Sequence, residues 1–155
     1  MNRYGDFIFG AALLLALSGC DASPTPPSES RGRVESEPPQ ALAARMGLTL
    51  PPGARIEHAK DMSGQDAYLR MVVVLPEAAW LEFLQDVSTK AGSEPIFLAD
   101  NNNELGPPGK DWRPADAPGL TTAQLPSKDG LAMLNIGLTQ AGPYKVRLFL
   151  VWWHL

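Results

Sequence analysis

The chain has 155 residues, with 13 Lys and Arg against 17 Asp and Glu, a formal net charge of −4 and a hydrophobic content of 45%. Its bases, among them Arg55, Arg70, Lys90, Arg113 and Lys145, are dispersed along the sequence among comparable acids and form no basic run, so no nucleic-acid partner is expected. A single cysteine, Cys20, excludes an intramolecular disulfide, and fifteen prolines with fourteen glycines divide the chain into short elements.

Arg3 and the apolar run from Phe7 to Leu17 have the layout of a cleaved targeting segment. The run is too short to span a bilayer, which takes about 20 apolar residues. At its end, Leu17-Ser18-Gly19-Cys20 resembles the bacterial lipoprotein signal, in which a small-residue box stops at a cysteine that is lipidated through its thiol and becomes the mature N-terminus. The resemblance implies removal of residues 1–19, a lipid anchor on Cys20, a membrane partner, and a cell-envelope location with the remainder of the chain in the periplasm. Two or three acyl chains, at about 0.8 kcal/mol per buried CH₂, make such anchoring effectively permanent. Asp21 resembles the enteric signal that retains a lipoprotein at the inner membrane, which favours that membrane over the outer one.

From Asp21 to Gln40 the sequence carries Pro24, Pro26, Pro27, Pro38 and Pro39 and almost no apolar side chains. Such a segment buries too little surface to offset its ordering entropy, so residues 20–40 are expected to be a lipidated, disordered tether. The only stretch of domain size is 41–155, which predicts a single core.

Ala41 to Met46 favours a short helix closed by Gly47. Pro51-Pro52-Gly53 turns the chain into a first strand over 54–60. The turn-forming residues Asp61 to Asp66 lead to a second strand over 67–75, with Leu69, Met71, Val73 and Leu75 on one face. Its other face starts with Tyr68 and Arg70 and becomes apolar at Val72 and Val74, a pattern of central strands covered on both sides. Residues 76–91 form the clearest helix. Pro76 suits its first turn, Trp80, Phe83, Leu84 and Val87 make its apolar stripe, and Gly92 closes it. Residues 93–129 read as a long irregular loop broken by six prolines, with only Ile96 to Ala99 suggesting a short strand. A closing hairpin follows over 131–155, its last strand placing Tyr144, Val146, Leu148, Leu150 and Trp152 on one face and turning wholly apolar toward its end.

The expected fold is therefore α+β, with a mainly antiparallel sheet of about four strands on one amphipathic helix, in the order β-β-α-(long loop)-β-β. Trp80, Phe83, Leu84, Val73, Leu134 and Leu148 are expected near its centre.

Chemistry-bearing patterns are sparse. His58 and His154 are far apart in sequence and belong to no zinc spacing, so no metal site is expected. Asp100 to Gly106 lacks the glycine position and the terminal glutamate of a calcium loop. No Gly-x-Ser-x-Gly elbow, phosphate loop or dinucleotide fingerprint is present, and no cofactor or catalytic residue is assigned. Ser63, with His58 and Asp61 or Asp66 nearby, contains triad residue types without evidence of triad geometry. Carboxylates that pair only in space are invisible to a sequence reading. Candidate binding residues are Arg70, Trp112, Arg113, Arg147 and Trp153, because Trp and Arg combine contact area with directed polar groups and loops of this length often carry recognition. Core packing is the competing role for each Trp.

The element order, with Pro51-Pro52-Gly53 before a strand, Leu75-Pro76 leading into an amphipathic helix and Trp112-Arg113-Pro114 in a mid-domain loop, is similar to that of small bacterial lipoproteins of unassigned activity. That resemblance transfers no functional residues. The expectation is a lipid-anchored, non-enzymatic binding module for an envelope protein or component. The alternatives are an immunity lipoprotein against an envelope-acting toxin and a hydrolase acting through carboxylates or Ser63.

Overall fold

Strands that are apolar on both faces need a cover on both sides, and that requirement sets the architecture. The computed structural model describes residues 37–64, 68–99 and 102–154, all within one unit, Ser36–Leu155. Cys20, the lipid-signal stretch and most of the proline-rich segment lie outside these residues. A short helix α1 (Pro39–Arg45) precedes strands β1 (Arg55–Asp61) and β2 (Tyr68–Pro76) and a long helix α2 (Glu77–Ala91). Strands β3 (Leu98–Ala99), β4 (Thr121–Pro126), β5 (Ala132–Gln140) and β6 (Lys145–His154) complete a six-stranded antiparallel sheet in the order β1-β2-β6-β5-β4-β3.

The α+β class, the antiparallel sheet and the central positions of β2 and β6 agree with the sequence pattern. The strand count and element order do not: the sheet has six strands rather than about four, while α1 and α2 answer to the short helix expected over 41–46 and the amphipathic helix expected over 76–91. The difference lies in the segment expected to be irregular. β4 pairs with β5 from Thr121↔Leu138 to Pro126↔Met133. Pro118 precedes it and Pro126 is its last residue, which hides a short Thr-Thr-Ala-Gln-Leu strand beneath turn signals. β3 adds two residues at the edge.

One face of the sheet packs on the helices. Leu69, Met71, Val73 and Leu75 of β2 lie beside Val146, Leu148 and Leu150 of β6, and Phe83 and Val87 of α2 press on them with Leu42, Ala43 and Met46 of α1. Trp80 and Leu84 are only half-buried at the margin of this core, with Trp80 edge-on to Phe97 at 5.8 Å. α2 begins after Pro76, whose missing N–H costs nothing there. Its first N–H, that of Glu77, donates to the Tyr144 carbonyl at 2.9 Å. It ends at Gly92, left-handed at φ 75°, where a side chain would be strained.

The opposite face is covered by the long loop itself. Leu105, Trp112 and Leu120 pack on Val72, Phe149 and Val151 in a second core. Gly137 of β5 makes room for this layer, since a Cβ there would lie 2.6 Å from Leu105 Cδ1 and 3.3 Å from Phe149 Cβ.

Candidate functional site

All five candidate binding residues belong to the loop-covered face. Arg70, Arg147 and Trp153 project from β2 and β6 on that side, and Trp112 and Arg113 sit in the segment laid across it. The structure divides them between cover and surface. Trp112 is buried, donates its indole N–H to the Leu105 carbonyl at 3.0 Å and meets Phe149 edge-on at 5.6 Å. Its expected recognition role gives way to packing, because a two-faced strand pair needs a large apolar side chain above it.

Arg70 is buried as well, at 7% exposure. Its Nε and Nη2 donate to the Tyr68 hydroxyl at 3.2 and 3.0 Å, and its guanidinium lies 5.0 Å from the Trp112 ring and 5.1 Å from that of Tyr68. A cation between two rings keeps favourable electrostatics while losing water. Gly106 lets the loop descend over this arrangement: it is left-handed at φ 73°, and a Cβ there would fall 2.6 Å from Tyr68 Oη and 2.7 Å from Arg70 Nη2. Trp153 is half-buried, stacked on Tyr68 at 6.4 Å.

Arg113 and Arg147 remain at the surface. They border a shallow groove of about 410 Å³ with Lys110, Asp111, Glu57 and His58, floored by Val72 and Phe149. Arg147 Nε donates to Glu57 at 3.1 Å, and Arg55 holds the same carboxylate at 2.6 Å. A register irregularity between Ile56 and His58 in β1 is where Glu57 turns toward Arg147. The 68%-exposed Arg113 pairs with Asp116 at 3.5 Å.

A second concavity, which no sequence signal announced, lies on the helix side. α1, the end of α2 and the β4–β5 turn enclose a cleft of about 430 Å³, with Leu48, Val87, Leu125, Leu134 and Trp152 among its apolar walls and Arg45, Lys90, Asp129 and His154 on its border. The side chains come from four separate segments, so no spacing in the sequence could reveal them. Lys90 Nζ is held by Asp86 at 2.7 Å, Thr49 Oγ1 at 2.8 Å and the Gly47 carbonyl at 2.9 Å. Arg45 bridges Glu37 and Asp61 at 2.6 and 2.8 Å, and both carboxylates push its pKa up. The Ser127 hydroxyl, followed by the Leu131 N–H, draws the Asp129 carboxyl below its ordinary range. Arg45 and Asp129 are thereby held in their charged forms, a state suited to orienting a ligand rather than to proton transfer at neutral pH.

Among the described residues, no hydrogen bond joins His58 to Ser63 or Asp61. His58 lines the loop-side groove and His154 the helix-side cleft, on opposite faces of the sheet. Ser63 and Asp61 instead close a turn: Asp61 accepts from the Ser63 N–H at 2.8 Å, and Ser63 Oγ accepts from the Tyr68 N–H at 3.0 Å. The Ser63 hydroxyl and Arg45 hold the Asp61 carboxyl down to about 2. Asp66 lies outside the described residues. Among the described residues, no three His, Cys, Asp or Glu side chains gather to hold a metal, and no helix is long and apolar enough to cross a membrane.

No family model, curated protein or solved structure matches this chain.

Proposed function

We propose that this chain is a lipoprotein of the bacterial cell envelope, anchored through acylated Cys20, whose periplasmic domain binds an envelope component and performs no chemistry on it. The observation that carries this reading is the order of the sequence. An apolar run ends at Leu17-Ser18-Gly19-Cys20, a polar proline-bearing segment follows, and α1 starts at Pro39. Asp21 favours the inner membrane.

Binding is favoured over catalysis by the state of the groups around the two concavities. Each combines an apolar floor with charged side chains at its border, and several of these are already locked by partners. That division between apolar floor and a few directed polar groups is the usual chemistry of a binding site, and volumes near 400 Å³ suit a small ligand or the tip of a larger one.

The test is metabolic labelling with an alkyne fatty acid, comparing the natural chain with Cys20→Ala and separating the inner and outer membranes. The expected result is label that depends on Cys20 and partitions with the inner membrane. Failure of the natural chain to take label refutes the anchor.

A further inference from the structure

We propose that the loop-covered face docks onto anionic phospholipid headgroups of the bilayer to which the chain is anchored. The proposal rests on the lipoprotein reading for the identity of that surface and on the charge distribution of the folded domain for the contact itself.

Charge is segregated between the two faces. Pairing in the sheet places Lys60 beside Arg70, and Arg55 in the row of Val74 and Arg147. Lys145 lies one row beyond on β6, while Lys110 and Arg113 border the groove of the overlying loop. This face thus holds seven of the ten Lys and Arg found in 37–154. Its described acids are Glu57, Glu104, Asp111 and Asp116, which leaves an excess of three positive charges. The remaining cations, Arg45, Lys90 and Lys128, belong to the helix side, where Glu37, Asp61, Glu77, Glu82, Asp86, Glu94 and Asp129 outnumber them by four. A domain with an acidic sequence pI of about 5.1 therefore presents one basic face. A field of that shape orients the domain toward an anionic plane over about one Debye length, roughly 8 Å at physiological salt.

Two further features fit a headgroup layer. The groove is bordered by Lys110, Arg113 and Arg147 with Glu57 and Asp111 among them, over an apolar floor of Val72 and Phe149, so a phosphate diester entering it meets one more cation than carboxylate at the border and carbon below. Tyr144 stands beside Lys145 with 82% of its surface exposed. Its backbone is left-handed at φ 58° while its carbonyl caps α2, which pins an amphipathic ring outward next to a cation. Such rings settle at the headgroup level of membranes.

The anchor makes a weak contact sufficient. The sixteen residues from Asp21 to Ser36 reach about 50 Å when extended, more than the roughly 35 Å breadth of a domain of this size, so either face can turn to the bilayer. Confinement within that reach gives an effective concentration of about millimolar. Acidic phospholipid is present at the bilayer in large excess, so docking needs no tight site.

The experiment measures partition of residues 20–155 carrying Cys20→Ser, so that no acyl chain contributes, between buffer and sedimenting vesicles. The vesicles are phosphatidylcholine alone or mixed with phosphatidylglycerol, at low and at physiological salt. Partition is expected only to the mixed vesicles and is weakened by salt. The triple variant K110Q/R113Q/K145Q, built from exposed side chains, is expected to lower it about a hundredfold, from about fivefold per cation. Lys128→Gln, on the helix side, is expected to change it less than about twofold, and soluble glycerol phosphate is expected not to compete. Equal partition to both vesicles, none to either, or an unchanged triple variant overturns the proposal. Competition by glycerol phosphate assigns the groove to a soluble phosphate ester and overturns it too. Fatty-acid labelling reports the anchor independently: a chain that binds these vesicles yet takes no label keeps the docking face and loses the tether.

Discussion

Gly137 is where the loop-side core is won or lost. A methyl group added at this position lies 2.6 Å from Leu105 Cδ1, 3.2 Å from Leu120 Cδ1 and 3.3 Å from Phe149 Cβ. Carbon atoms pack at about 3.5–4.0 Å, so Leu105 must retreat by about 1 Å. It has nowhere to go, being fully buried among Trp112, Leu120 and Phe149. Overpacking of this kind costs about 1–3 kcal/mol, and replacing a strand glycine returns about 0.5–1 kcal/mol, so Gly137→Ala destabilises by about 1–2 kcal/mol. Leu105→Ala alone costs about 3 kcal/mol through its cavity. In the double variant the new methyl occupies space that Leu105 has vacated, the clash vanishes and the strand gain remains. The double variant therefore costs about 2–3 kcal/mol, at least about 1.5 kcal/mol less than the sum of the singles. Urea unfolding of residues 20–155 with Cys20→Ser, followed by circular dichroism, measures all four corners of the cycle. Additivity within about 0.5 kcal/mol would falsify the claim that Leu105 fills the notch above Gly137.

The other expectations follow from the same cover and from the turn at Asp61. Trp112→Phe strands the Leu105 carbonyl that the indole N–H serves at 3.0 Å. It should cost about 1–2 kcal/mol, read as a fall in Tm of about 5–10 °C, and no change in Tm would refute the packing role. Gly106→Ala meets both a left-handed backbone and the Tyr68–Arg70 pair; a loss of about 2–3 kcal/mol is expected in the same urea assay. Asp61, depressed from 3.8 to about 2 by the Ser63 hydroxyl first and Arg45 next, adds stability that is complete above its unfolded value and disappears as pH falls through about 2. Because 37% of its side chain is exposed, that contribution is discounted for solvent screening to about 1 kcal/mol or less. The stability gap between the natural chain and Asp61→Asn should accordingly close in acid, and a gap independent of pH would exclude the carboxylate's role.

What the sequence revealed, and what it concealed, has a physical pattern. β2, α2, β5 and β6 were legible because each carries its own periodicity: two-residue alternation in the strands, and Phe83 and Val87 on a helical stripe. The central positions of β2 and β6 followed from Val72, Val74, Phe149 and Val151, which make no sense on a solvated face, whereas their pairing with each other was not foreseen. β4 was missed because Pro118 precedes it, Pro126 is its last residue and only Ala123 and Leu125 mark its inward side. Arg70 and Trp112 were read as candidate binding residues and are buried; their place depends on Gly106 and Gly137, whose small size matters only once the loop lies on the sheet. The groove bordered by Arg113 and Arg147 unites positions from four separate segments, and so does the cleft beneath α1.

The loop cover also explains how a basic face can exist on an acidic chain. A loop lacking a regular hydrogen-bond ladder needs other ties, and here they are specific. The Asn135 side-chain amide donates to the Glu104 carbonyl, and the Thr139 hydroxyl donates to the Pro118 carbonyl at 2.6 Å. Those ties and the second core use the middle of the sheet. Cations at the ends of the strands and on the outer side of the loop are left in water, while Glu77, Glu82 and Asp86 of α2 lie on the other side. Burial of Trp112 and exposure of Arg113, adjacent in sequence and opposite in environment, are two results of one packing decision: the residue that seals the sheet fixes its neighbour on the surface. If that coupling holds, loosening the seal with Gly137→Ala should also weaken vesicle partition, although the substitution touches no charge.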